Sequence, residues 1–157
     1  MLNIAVPRFG DLRLEHLVLD VNGTLTRDGV LLPGVAERLE KLHDLLEIEL
    51  ISADSLGRLE SIASQLGLPF TRLDPADAEP EQKATFVRRL GALRVVAIGN
   101  GANDVGMLKE AAIGIAVLGP EGLAIEALLA ADLAVGSIDD ALDLLLFPRR
   151  VVASLRR

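Results

Sequence analysis

Three polar turns, each closing an apolar run, hold the residue types that chemistry on a phosphoryl group needs. They are Asp20-Val21-Asn22-Gly23-Thr24-Leu25-Thr26, Ser52-Ala53-Asp54 and Gly99-Asn100-Gly101-Ala102-Asn103-Asp104. Lys83 precedes the third turn. Between them they supply the carboxylates of Asp20 and Asp104, a serine hydroxyl, an ammonium group and backbone amides that glycine frees to face a ligand. Oxygen donors of this kind suit magnesium, while a lysine and N–H groups suit phosphate oxygens. The Gly99-Asn100-Gly101 turn fails the dinucleotide fingerprint, because Asp104 stands where the third glycine belongs, and this argues against a nicotinamide site.

The turns need a frame that brings them together, and the chain alternates strand-like with helix-like segments. Leu17–Val21, Ile48–Ile51, Phe70–Leu73, Leu93–Ile98, Ile113–Leu118 and Leu133–Val135 read as strands, most of them short apolar runs of the kind buried in a parallel sheet. Amphipathic spacing predicts a helix from Pro33-Gly34 through Val35, Leu39, Leu42 and Leu46, and another through Leu56, Leu59, Ala63 and Leu66. Further helices are expected over Glu81–Leu90, Asp104–Ala112, Glu121–Ala130 and Ile138–Leu146. Residues Ile4–Leu14, turning at Phe9-Gly10-Asp11, read as an antiparallel edge pair. The expectation is one α/β domain spanning 1–157, a three-layer α/β/α Rossmann-like fold with a mainly parallel central sheet. Ligands of such sheets bind beyond the carboxyl ends of the strands, where all three turns lie.

Composition narrows the function further. The 157 residues carry 16 Lys+Arg against 23 Asp+Glu, a formal charge of −7, with no Trp, Tyr or Cys and four Phe. An acidic chain so poor in aromatics is badly suited to tracking phosphates or stacking bases, so nucleic acid is excluded as a partner. No uncharged apolar run approaches the roughly 18 residues of a membrane helix, and the amino terminus lacks the pattern of a secretory signal. The absence of cysteine rules out disulfides and thiolate metal sites and fits a cytoplasmic setting.

The segments from Asp20 to Thr26, Ser52, Lys83 and Gly99 to Asp104 resemble, in that order, the four motifs of the haloacid dehalogenase-like (HAD) superfamily of aspartyl-phosphate phosphohydrolases. The run from Gly99 to Lys109, then Gly114–Val117 and Ala130-Ala131-Asp132, resembles most the phosphorylation domain of P-type ATPases, here as a free-standing, soluble relative. Thr26-Arg27-Asp28-Gly29 is similar to the small capless sugar-acid phosphatases of the superfamily. The resemblance implies that Asp20 is the nucleophile, that Ser52 bonds a phosphate oxygen and that Lys83 neutralises the phosphoryl charge. Gly23, Thr24, Ala53 and Asn103 join Ser52 and Lys83 around the phosphate. Asp20, Asn22, Asn100 and Asp104 form the metal set, with Asn22 acting through its carbonyl and Asp104 either directly or from behind.

Two positions depart from that pattern. Asn22 stands where most HAD phosphatases carry a second Asp, the general acid–base, whose help is worth about a hundred- to ten-thousand-fold. Asn100 stands where an Asp usually binds magnesium. The expected function is a slow, magnesium-dependent phosphohydrolase acting on a small phosphorylated metabolite through phospho-Asp20. The alternative is a catalytically impaired phosphate-ligand sensor or protein-interaction module. Only a small flap, Gly23–Pro33, is available to cover the site and no cap domain is expected. An open site that a neighbouring subunit could cover makes a homo-oligomer an expectation. Asp54 reads as a helix N-cap, and the basic end, Arg149, Arg150, Arg156 and Arg157, as charge complementing a helix terminus.

Overall fold

The computed structural model describes residues 1–157. The chain begins with a hairpin, β1 (Leu2–Val6) and β2 (Gly10–Leu14), and passes into β3 (His16–Asp20). A small hairpin follows, β4 (Thr26–Arg27) and β5 (Val30–Leu31), and then α1 (Val35–His43). The rest runs β6 (Glu47–Ser52), α2 (Leu59–Leu66), β7 (Phe70–Arg72), α3 (Glu79–Leu90), β8 (Val95–Gly99), α4 (Val105–Glu110), β9 (Ile113–Val117), α5 (Ile125–Ala130), β10 (Leu133–Val135), α6 (Ile138–Leu146) and α7 (Arg149–Leu155). Six strands form one parallel sheet in the order β10-β9-β8-β3-β6-β7.

Alternation along the central strands divides the core in two. Leu17 and Leu19 of β3, with Val96 and Ile98 of β8, pack among residues of α1, α2, α6 and the first hairpin. Val18, Val95 and Ala97 point the other way, towards Val87 of α3, Met107 and Leu108 of α4 and Ala127 of α5. A sheet covered on both faces explains why its strands read as unbroken apolar runs. The fold is the expected three-layer α/β/α arrangement, without a separate cap domain. No helix is long and apolar enough to cross a membrane.

Some expectations are corrected. The first hairpin is a sheet of its own, not an edge of the central one, and it turns at Pro7-Arg8-Phe9 with Arg8 at φ 62°. Leu56 is exposed in a loop and α2 starts only at Leu59. Arg58 rather than Asp54 is therefore the N-cap of that helix, although Asp54 reaches its first residue from five positions away, accepting from the Leu59 N–H at 2.8 Å. Residues 119–122 form a turn, so α5 starts at Ile125 rather than at Glu121. The basic end includes an unforeseen helix, because Pro148, at φ −57°, fits the start of α7. Arg149 and Arg150 therefore occupy the first turn of α7, where the helix dipole opposes a cation, and only Arg156 and Arg157 follow a carboxyl end.

Candidate active site

The parallel register sets the geometry before any side chain is considered. Asp20 ends β3 beside Ile51 of β6, so Ser52 lies one residue beyond it on the adjacent strand. On the other side Leu19 pairs with Ile98, which places Gly99 and the turn after it level with Asp20. The chain then reverses tightly at Gly23, at φ 77°, with Thr24 and Leu25 N–H groups both donating to the Val21 carbonyl. That turn folds Thr24 back over Asp20.

Lys83 rises from α3 into the centre, fully buried. Its Nζ donates to Asp20 Oδ1 at 2.8 Å and to Asp104 Oδ1 at 2.6 Å, leaving a third proton free. Burial alone would lower the lysine pKa, but the charges of Asp20 and Asp104 and their hydrogen bonds raise it above the ordinary 10.5. Asp104 is pushed up to about 6, first by burial and then by the charge of Asp20, with Lys83 pulling the other way. Both Asp104 oxygens are engaged, because Oδ2 accepts from the Asn100 and Gly101 N–H groups at 3.0 and 2.9 Å. Asp104 thus faces inward as the anchor of Lys83 and of its own turn.

Thr24 Oγ1 lies 2.9 Å from Asp20 Oδ2 and 3.0 Å from Asn100 Oδ1. A hydroxyl has one proton, so it satisfies only one of these oxygens at a time. The orientation of Asn100 is fixed, because its Nδ2 donates to the Gly122 carbonyl at 3.1 Å. Two oxygens thus converge with one proton between them, an arrangement a cation would complete. No group of three or more Asp, Glu or His side chains forms anywhere in the structure, this site included. A cation here would be held by one carboxylate and neutral oxygens and would keep several waters, as magnesium does.

The remaining expected residues divide. Ser52 is buried at the end of β6, its Oγ accepting from the Asp54 N–H at 2.9 Å, which leaves the hydroxyl proton to donate. Ala53 lies beside it and Gly23 in the first turn. Asn22 turns its Nδ2 towards Ser55 Oγ, at 3.4 Å. Asn103 is joined to Glu79 of α3 at 2.7 Å and makes no hydrogen bond to the Asp20 cluster. The Asp20 side chain itself is only 5% exposed, with Thr24 and Lys83 bonded to its two oxygens. Sequence reasoning missed Gly119, Glu121 and Gly122. The signal was present: Gly119-Pro120-Glu121-Gly122 is a fourth polar turn at the carboxyl end of a strand, β9.

The structure thus sets a buried aspartate against a buried lysine at the carboxyl edge of a parallel sheet, and comparison with known proteins gives the family of the chain. A model described as haloacid dehalogenase-like hydrolase matches residues 5–112. The chain is 48% identical over 63 residues to an uncharacterized protein of Methanocaldococcus jannaschii, covering 40% of this chain and 68% of that protein. It is 33% identical over 122 residues to a copper-exporting P-type ATPase of Staphylococcus aureus, covering 75% of this chain but only 14% of the transporter's length. The fold is shared with 3-deoxy-D-manno-octulosonate 8-phosphate phosphatase of Moraxella catarrhalis, solved in complex with magnesium, phosphate and a KDO molecule. That structure gives a TM-score of 0.67 at 18% identity over 90% of each chain. The chain belongs to the haloacid dehalogenase-like hydrolase family.

Proposed function

We propose that the protein is a magnesium-dependent phosphomonoesterase that works through an aspartyl phosphate on Asp20, acting on a small phosphorylated metabolite. The observation that carries this reading is the bridge from Lys83 to Asp20 and Asp104 at 2.8 and 2.6 Å. A carboxylate can attack a dianionic phosphoryl group only where a cation mutes their repulsion, and the bridge fixes a permanent ammonium against the attacking group.

In this reading Asp20 forms a bond to phosphorus as the bond to the leaving oxygen breaks. The third proton of Lys83, the Ser52 hydroxyl and the amides around Gly23, Thr24 and Ala53 hold the phosphoryl oxygens. Asp20, the Asn22 carbonyl and Asn100 Oδ1 would hold magnesium, with Asp104 supporting from behind. Magnesium, when bound, supplies positive charge beside the phosphoryl oxygens. The departing alkoxide takes its proton from water, because the Asn22 carboxamide has none to give. Attack of water on phosphorus then releases phosphate and restores Asp20, again without a carboxylate base at 22. Both steps should therefore be slow for alkyl phosphates and faster for good leaving groups.

A second reading, a phosphate-ligand sensor that has lost turnover, is favoured by Asn22 and Asn100, whose carboxamides are tied to Ser55 and Gly122. An activated aryl phosphate assayed with and without magnesium, on wild type and Asp20→Asn, separates the two. Hydrolysis that needs both the metal and Asp20 supports the phosphatase. Phosphate binding without turnover supports the sensor.

A further inference from the structure

The loop from Leu118 to Leu123, between β9 and α5, contacts the pocket twice and the flap once. Gly122 accepts from Asn100 Nδ2 at 3.1 Å, and the Ala124 N–H just beyond donates to the Asn100 carbonyl at 2.9 Å. Gly119 packs so closely on the first turn that a Cβ there would lie 2.2 Å from the Gly23 carbonyl oxygen. Farther out, Glu121 Oε2 accepts from the Asp28 N–H at the flap tip, at 3.3 Å. The loop keeps its own shape through a bridge between Gly119 and Gly122, with Gly122 at φ 100°.

Asn100 is the joint in this chain of contacts. Its Oδ1 faces Thr24 and, through it, Asp20, while its Nδ2 holds Gly122. A carboxamide offers an acceptor at one end and a donor at the other. A carboxylate would instead set an anionic oxygen against the Gly122 carbonyl oxygen with no proton between them, which is unfavourable in a half-buried place. We propose that Asn100 is a positioning residue that couples the phosphate pocket to the flap. A ligand drawing on its oxygen is felt through Gly122 and Glu121 at the Asp28 amide. The coupling rests on reading the pocket as a phosphate site, and it gives a physical reason for a neutral side chain at this position.

Amide hydrogen exchange of the whole chain, alone and with magnesium plus beryllofluoride, tests this on wild type, Asn100→Asp and Glu121→Ala. Binding of the probe is followed separately by thermal shift. In wild type the probe should slow exchange at Asp28 and Ala124 by about fivefold or more, the lower end of ordinary coupling factors. Glu121→Ala should bind the probe as wild type does and keep the response at Ala124 while losing it at Asp28, a separation that a purely structural role would not produce. Without any probe, Asn100→Asp should exchange faster at both amides. Wild-type exchange in Asn100→Asp, or a retained Asp28 response in Glu121→Ala, overturns the coupling. Failure of the phosphate reading would show differently: the probe would not bind wild type, while the exchange difference in Asn100→Asp would persist.

Discussion

At position 22 a carboxamide faces Ser55, its Nδ2 3.4 Å from the serine oxygen. Asp is nearly the same shape and could accept from that hydroxyl, so Asn22→Asp should fold unchanged. If the missing proton donor limits the rate, this variant should hydrolyse alkyl phosphates about a hundred- to ten-thousand-fold faster, measured as kcat on a poor leaving group. An activated aryl phosphate should gain far less, because its leaving group needs no proton. Asp104 predicts a pH effect on stability. Its folded pKa of about 6 lies above the ordinary 3.8, so between those values the folded state binds the proton more tightly than the unfolded chain. Stability therefore falls as pH rises through that window and levels off above about 6. Urea unfolding at pH 4 and pH 6.5 should show the difference between wild type and Asp104→Asn moving in favour of the variant as pH rises. Movement the other way would contradict this assignment.

At the scale of elements, the site depends on how closely α3 and α4 approach, since one carries Lys83 and the other follows Asp104. Gly106 makes that approach possible: a Cβ there would lie 2.0 Å from the Pro80 carbonyl oxygen. Gly106→Ala must push the helices apart where the lysine enters the core, and should cost about 1–3 kcal/mol in urea unfolding together with a loss of turnover. Nothing in the sequence announces such a contact. Val105-Gly106-Met107 reads as an ordinary helical stretch, and which backbone faces Gly106 is set by packing between residues 26 positions apart. What could be read were features that a residue carries locally. The apolar strands declared themselves because both sheet faces are covered; Asp20 and Ser52 did so because motif and strand end coincide, Asp104 because it closes the glycine turn after β8, and Lys83, inside α3, through its motif alone. The Asn100–Gly122 contact, the flap tip on Glu121 and the inward turn of Asp104 depend on loop placement, and so became visible only in three dimensions.

Across the whole molecule, the residues proposed for chemistry gather at the carboxyl edge of the sheet, while much of the apolar core lies elsewhere. The first hairpin enters β3 at its amino end, so Leu14 sits at the opposite edge of the sheet from Asp20. It is fully buried in the larger core cluster, along with Val151 of α7. That separation makes stability and chemistry independently adjustable. Leu14→Ala removes buried methyl groups and leaves a cavity, which should cost about 2–5 kcal/mol. The change lies beyond direct reach of the Lys83 bridge, and effects of well-separated sites add rather than couple. The variant should unfold at clearly lower urea yet hydrolyse an aryl phosphate with the wild-type kcat/KM, once rates are scaled to the folded fraction. Equal losses in folded-state activity and stability would mean that the hairpin, and not only the strand ends, holds Asp20 in place.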